Sequence, residues 1–447
     1  MNIRKITTKA AIVLLAVLTL GLAVRAGLNY AMGRKLRNVL EQAKADGLPL
    51  THREIAPACD DADNGAPFWK AAEPLFVRIS TEKYSQNDMM ELIYGEKPVD
   101  EAFRAALVPE IEKNRRVFDF IREASEKACF RYGDWTKPFY LTGQPDAVKL
   151  IQAVRLLGVD AVLKAESGQV QEGLTQCRFG MNFVRRLLDE PWLINSLIAL
   201  ADMKTLLVCF NRIARDRDLD SETVSAWIKN LDIPSWRRMF ARCAQTERVF
   251  SLEHGLGLIR GDKAVLAESD QAGLGGQRFF YWLVRPILKE EIVWTHGRFL
   301  ESERRIGLPF YKIKEMDRDP KLKAEPAPWY MKRLGLLMVD FESVYLKEAA
   351  FEALMLTTKA GLACEIYQHN TGRYPENLDD LIPEILDETP LDPFTGKPLA
   401  FKIENEELLI FSFGSNEKDD GGRGKYAINR LVEEKDDDWT WRKKISR

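Results

Sequence analysis

Residues 10–24 form a charge-free, largely apolar run, preceded by Arg4, Lys5 and Lys9 and by no acidic residue. Such a run is either a membrane anchor or the apolar part of a cleaved export signal. Fifteen helical residues at ~1.5 Å each cover only ~22 Å of a ~30 Å hydrocarbon core. A true span must therefore continue past Arg25 towards Met32, with Arg25 reaching to the interface and Tyr30 as an aromatic anchor. The competing reading is a cleaved signal, because Val24-Arg25-Ala26 loosely resembles a small-residue cleavage site. The anchor is the preferred reading. Basic residues also follow the run at Arg25, Arg34, Lys35 and Arg37, so orientation rests on a second argument. No later stretch is long and apolar enough to cross back, which places the short N-terminus inside and everything from about residue 33 outside. The expectation is a single-pass protein of the cell membrane with the bulk of the chain extracytoplasmic.

At 447 residues the chain exceeds one ordinary core, given ~150 residues per domain. Hydrophobic residues make up 46% and charged residues 30%, the balance of a globular protein. The formal charge of -2, from 65 basic and 67 acidic residues, gives no global field to recruit nucleic acid, and none is expected as a partner. Cys59, Cys129, Cys177, Cys209, Cys243 and Cys364 are scattered singly, without the CxxC spacing of a zinc site. An even count permits disulfides outside the cytoplasm, but several of the six sit in apolar helical runs and read as small buried side chains.

From residue 67 to about 258 apolar residues recur at three and four, the period of helices. The pattern predicts helices over 148–166 and 170–188, then one opened by Pro191 to about Arg215, with Ser221 and Ser235 capping the next two. Residues 278–305 predict a helix kinked or broken at Pro286, with Phe279, Phe280, Tyr281, Trp282, Trp294 and Phe299 read as core. Residues 267–276 read as a surface loop and 320–328 as a linker. A long helix is predicted over 329–369, ended by Gly372, and then a hairpin of strands 399–403 and 408–413. The expected fold class is mainly α: a helical-hairpin bundle with one N-terminal transmembrane helix and a C-terminal α+β module of long helix plus small antiparallel sheet. Its divisions are 1–32 as anchor or signal, 33–319 as the helical domain with a candidate subdivision near 267–276, and 329–447 as the C-terminal module.

In that module stand Tyr374-Pro375 after the helix, Leu378 and Leu381, Asp392-Pro393, Gly396-Lys397-Pro398-Leu399, Phe411-Ser412-Phe413-Gly414 and Asp419-Asp420-Gly421-Gly422. In this order they resemble the soluble domain of the type II secretion major pseudopilins, over roughly residues 345–440. The resemblance implies a helical spine packed on a β-sheet, with calcium held in the last loop. Carried over by position, the calcium ligands are Ser412, Asp419, Asp420 and one or more of Asp436, Asp437 and Asp438. Calcium takes six to eight oxygens at ~2.3 to 2.6 Å from a flexible loop, which carboxylates and glycine carbonyls supply. The family's N-terminal processing sequence is absent, and the module lies about 300 residues from the apolar run, so this is no ordinary pilus subunit. The whole arrangement also looks like envelope proteins of planctomycete-type bacteria.

His52, His254, His296 and His369 have no Ser or Cys partner in sequence, and neither HExxH nor GxSxG occurs. The acidic stretch 60–65 starts like a calcium loop, but Ala71 stands where the bidentate Glu is required. No catalytic residue is assigned. The leading expectation is an envelope interaction or scaffold protein, with the membrane and envelope proteins as partners. The alternative is a hydrolase of envelope polymers using paired carboxylates, from residues 65–91 or from Glu290 and Glu291.

Overall fold

The computed structural model describes residues 3–78, 93, 101–215, 217–266, 278–318, 341–424 and 438–445. The candidate subdivision at 267–276 and the linker at 320–328 lie outside them. Helix α1 (Ile3–Ala45) runs unbroken from the apolar segment into the body. Its large apolar side chains from Ile12 to Val24 are each at least 54% exposed, whereas Leu36 and Ala43 are buried. The stretch Ile12–Ala45 is long and apolar enough to cross a membrane, and none of its most apolar window is buried; contrary to expectation Leu193–Arg215 is also long and apolar enough, but 78% of its window is buried inside the protein.

Short α2 (Ala66–Ala72), α3 (Glu101–Lys113) and α4 (Arg115–Ser125) follow. A disulfide joins Cys59 to Cys129, while Cys177, Cys209, Cys243 and Cys364 are buried free thiols. The two bridged cysteines are those outside helical runs. Helices α5 (Ala147–Glu166), α6 (Val170–Leu187) and α7 (Leu193–Arg215) pack on one another. Helix α8 (Ser221–Asn230) is capped by Asp220 and α9 (Ile233–Arg260) by Asp232, not by Ser221 and Ser235 as the sequence suggested. The reason is reach: each aspartate oxygen accepts from the backbone N–H three residues on, at Thr223 and at Ser235 itself.

Helix α10 (Arg278–Arg305) is not broken at Pro286, which lies inside it. Its aromatics are also not uniformly core: Tyr281 and Phe299 are buried, but Phe280 and Trp282 are 38% and 36% exposed. Helices α11 (Phe310–Arg318) and α12 (Phe341–Thr371) complete the set, and α12 stops at Gly372 with φ 76°.

Strands β1 (Ala400–Glu404), β2 (Glu407–Ser412) and β3 (Trp439–Lys444) form one antiparallel sheet in the order β1-β2-β3. The β1-β2 turn is made by Asn405 and Glu406, both at positive φ, which matches the twist of a tight hairpin. Strand β3 was not foreseen. Its residues Trp439, Trp441 and Lys443 are buried, the last against Glu365 of α12 at 3.4 Å and the Ala214 carbonyl. Strand β3 is thus an edge strand with most of its side chains buried. Trp441 lies so close over α12 that a Cβ at Gly361 would collide with its indole. One hydrophobic core runs from Trp69 and Phe183 through Phe210 and Trp236 to Phe351, Phe394 and Trp439, so the C-terminal module shares the core of the helical part.

Candidate metal centre in the C-terminal module

Two turns of the C-terminal module each bury an aspartate. The first, after the short 3-10 turn Leu378–Leu381, is built around Asp392. Its Oδ1 accepts from the Phe394 N–H (3.1 Å) and the Ser412 hydroxyl (2.8 Å). Its Oδ2 accepts from the Thr395 hydroxyl (2.9 Å) and the Phe413 N–H (3.2 Å). Asp392 thereby ties the turn to the end of β2. An aspartate bonding the backbone N–H two residues on is common turn chemistry, and here it joins Asp392 to Phe394.

The second turn leads from β2 towards β3. Asp419 Oδ1 accepts from the Gly421 N–H (2.8 Å), and its carboxylate meets Lys402 of β1 at 3.2 Å. Asp420 accepts from the Asn416 amide (2.8 Å). Gly421 and Gly422 take φ of 74° and 71°, which turns the chain so that the Gly422 N–H reaches Asp438 Oδ2 at 2.8 Å. The Gly422 carbonyl accepts from the Thr440 hydroxyl (2.8 Å) and from Arg442 (2.6 Å), fixing the loop to β3. Asp438 itself is 1% exposed, and among the described residues its Oδ1 is buried with no hydrogen-bond partner. Burial pushes its carboxyl up to about 7, opposed by the Gly422 and Asp420 backbone N–H groups and reinforced by the negative charges of Asp420 and Asp419.

Of the residues singled out from sequence, Asp419, Asp420 and Asp438 are thus brought within electrostatic reach of one another. Ser412 is engaged elsewhere: its hydroxyl donates to Asp392 and accepts from the Gly414 N–H at 3.2 Å. Asp436 and Asp437 lie outside the described residues. Among the described residues no three His, Cys, Asp or Glu side chains converge as a ready ligand set. What points to a cation is narrower: a buried carboxylate oxygen without a hydrogen-bond partner among the described residues, beside two further carboxylates.

The histidines meet partners that sequence distance concealed. His52 Nδ1 pairs with Glu253 at 2.8 Å, across 201 residues, and its Nε2 lies 2.8 Å from the Lys137 carbonyl. Both ring nitrogens face acceptors, the arrangement of a clamp between loop and α9. Burial lowers His296 to about 4, with Arg248 adding to the effect. In the region proposed for carboxylate chemistry, Glu73 accepts from the Tyr132 hydroxyl (2.9 Å), and 79–91 lie outside the described residues. Glu291 is buried at 2% exposure. An open groove of about 420 Å³ between α8 and the end of α12 presents Asp380 and Glu384, but Asp380 caps the turn by accepting from the Glu376 N–H at 2.7 Å. No protein-family model, curated protein or solved structure matches the chain.

Proposed function

We propose that this chain is a membrane-tethered interaction protein of the cell envelope, whose pseudopilin-like C-terminal module is closed by calcium. The observation that carries the ion is Asp438, a carboxylate held in the core with one oxygen unpaired beside two like charges. A fold that repels its own loop at neutral pH has a use for a cation there. Asp438, Asp419 and Asp420 would hold it, and Asp436 and Asp437 would by residue type be further oxygen donors. Calcium would supply charge neutralisation and cross-link the loop to β3; it has no chemistry to perform. The ordered turn would then present a rigid face, which suits docking to other envelope proteins.

Location rests on two supports. The exposed apolar part of α1 suits a single tether, with the body outside the cytoplasm. The Cys59–Cys129 disulfide suits an oxidising compartment. The mutual packing of α5, α6 and α7 supports reading the helical part as a bundle of hairpins.

Terbium luminescence of the full chain in detergent tests the site, since Tb³⁺ takes calcium's oxygen ligands and Trp439 adjoins Asp438. The expected result is sensitised emission displaced by calcium, with affinity weakened about tenfold or more in Asp438→Asn. Emission that Asp438→Asn leaves unchanged would remove the proposed site.

A further inference from the structure

Helices α1 and α10 run parallel and in step. The Arg25 guanidinium lies 3.5 Å over the Trp282 ring and donates to the Trp282 carbonyl. One level further out, Lys289 donates to the carbonyl and side chain of Asn29 (3.1 and 2.9 Å). Further out again, Leu36 and Ile292 share a hydrophobic cluster with Leu252 of α9. The pairings 25 with 282, 29 with 289 and 36 with 292 ascend together. The first turns of α10 therefore lie level with the end of the apolar run, where α1 leaves the body.

At that level the body carries exposed apolar side chains. Phe280, Trp282 and Leu283 are 38%, 36% and 49% exposed, and Leu22 and Val24 of α1 are exposed too. Tyr281, between Phe280 and Trp282, is buried with Val265 and Leu266. The cations Arg25, Arg285 and Lys289 gather at the same end. Burial, and then the charges of Arg285, Arg37 and Arg25, hold the Lys289 ammonium below its usual range. α1 carries no acidic residue before Glu41, and α10 none before Glu290. Among the described residues the Nε of Arg25 and that of Arg285 are buried without a hydrogen-bond partner.

We propose that the N-terminal end of α10 is a second membrane contact, with Phe280, Trp282 and Leu283 seated in the bilayer interface and Arg25, Arg285 and Lys289 on anionic phospholipid phosphates. The inference rests on the reading of α1 as a tether and adds to it. Aromatic rings favour the headgroup level because one end is apolar and the other polar, and Lys and Arg near an anionic leaflet are attracted to it. A single helix lets the body swivel. A second contact fixes which face looks away from the membrane.

The test is nitroxide depth measurement on the full chain in vesicles of phosphatidylcholine with phosphatidylglycerol and of phosphatidylcholine alone. Leu283→Cys reports the contact and Val17→Cys the tether; the native free thiols are buried. The expected result is that both labels favour oxygen over a water-soluble nickel chelate in anionic vesicles. Arg285→Gln with Lys289→Gln then lowers the lipid-seated population at 283 by roughly tenfold, leaving position 17 unchanged. Position 17 shielded and 283 open to nickel in both vesicles would overturn the contact and leave the tether standing. Position 17 open as well would overturn the tether, and the contact with it. Equal shielding of 283 in both vesicles, insensitive to the glutamines, would remove the phosphate part.

Discussion

Asp392 and Asp438 stand in two turns of the same module, both buried, and they are treated oppositely. Asp392 receives four donors, two from backbone and two from hydroxyls, so its turn is complete from the chain's own groups. Asp438 receives the Gly422 N–H, keeps one oxygen unpaired among the described residues, and shares its neighbourhood with Asp419 and Asp420. Burying a carboxylate is tolerable when its lone pairs are filled and costly when they are not. The contrast separates a turn completed by the chain's own groups from one that, on the proposed reading, a bound cation would complete.

The comparison breaks first at Asp392. Asp392→Ala leaves four donors without an acceptor and is expected to cost at least ~3 kcal/mol, whether or not calcium is present. Chemical denaturation of the full chain, followed through the C-terminal transition, measures it; rescue by calcium would erase the distinction between the turns.

Asp438 gives the next effect, and its sign can be worked out. With the folded carboxyl near 7, above its ordinary 3.8, folding favours the protonated form. That contribution is complete below about pH 4 and is lost as pH rises towards about 7. In chelator, the module's stability should therefore fall by up to about 4 kcal/mol across that window, and Asp438→Asn should flatten the curve. A wild-type curve that rises instead would mean Asp438 is satisfied by groups other than a cation.

The smallest effect sharpens the same point. Lys402 pairs with Asp419 at 3.2 Å on the surface, so Lys402→Met is expected to cost under ~1 kcal/mol in chelator. It should at the same time tighten calcium binding in a terbium competition, because a competing cation has been removed.

Much of this architecture was legible because it is local. The helices α5, α6 and α7 announce themselves by apolar period, and the β1-β2 hairpin by two short apolar runs around a polar turn. What was not legible depends on contacts distant in sequence. Trp439, Trp441 and Lys443 become a strand only because α12 offers Gly361 as space and Glu365 as a counter-charge. Nothing near Lys443 in the sequence says so. The acidic loop was readable as oxygen-rich, through Asp419, Asp420 and Asp438, but not as strained, since the burial of Asp438 is set by β2 and the Gly422 turn. Ser412, which the resemblance offered as a calcium ligand, donates its hydroxyl to Asp392 instead.

Native-state hydrogen exchange of the full chain, with calcium and with chelator, tests the central claim most directly. It reads β1, β2 and β3 in place, within the core they share with the helices. At calcium near 100 times its dissociation constant the bound module gains ~2.7 kcal/mol, so amides of β2 and β3 that exchange by opening of the module should exchange roughly 100-fold more slowly. Asp438→Asn should abolish the difference while α5, α6 and α7 stay unaffected. Identical exchange of β2 and β3 in calcium and in chelator would contradict the account.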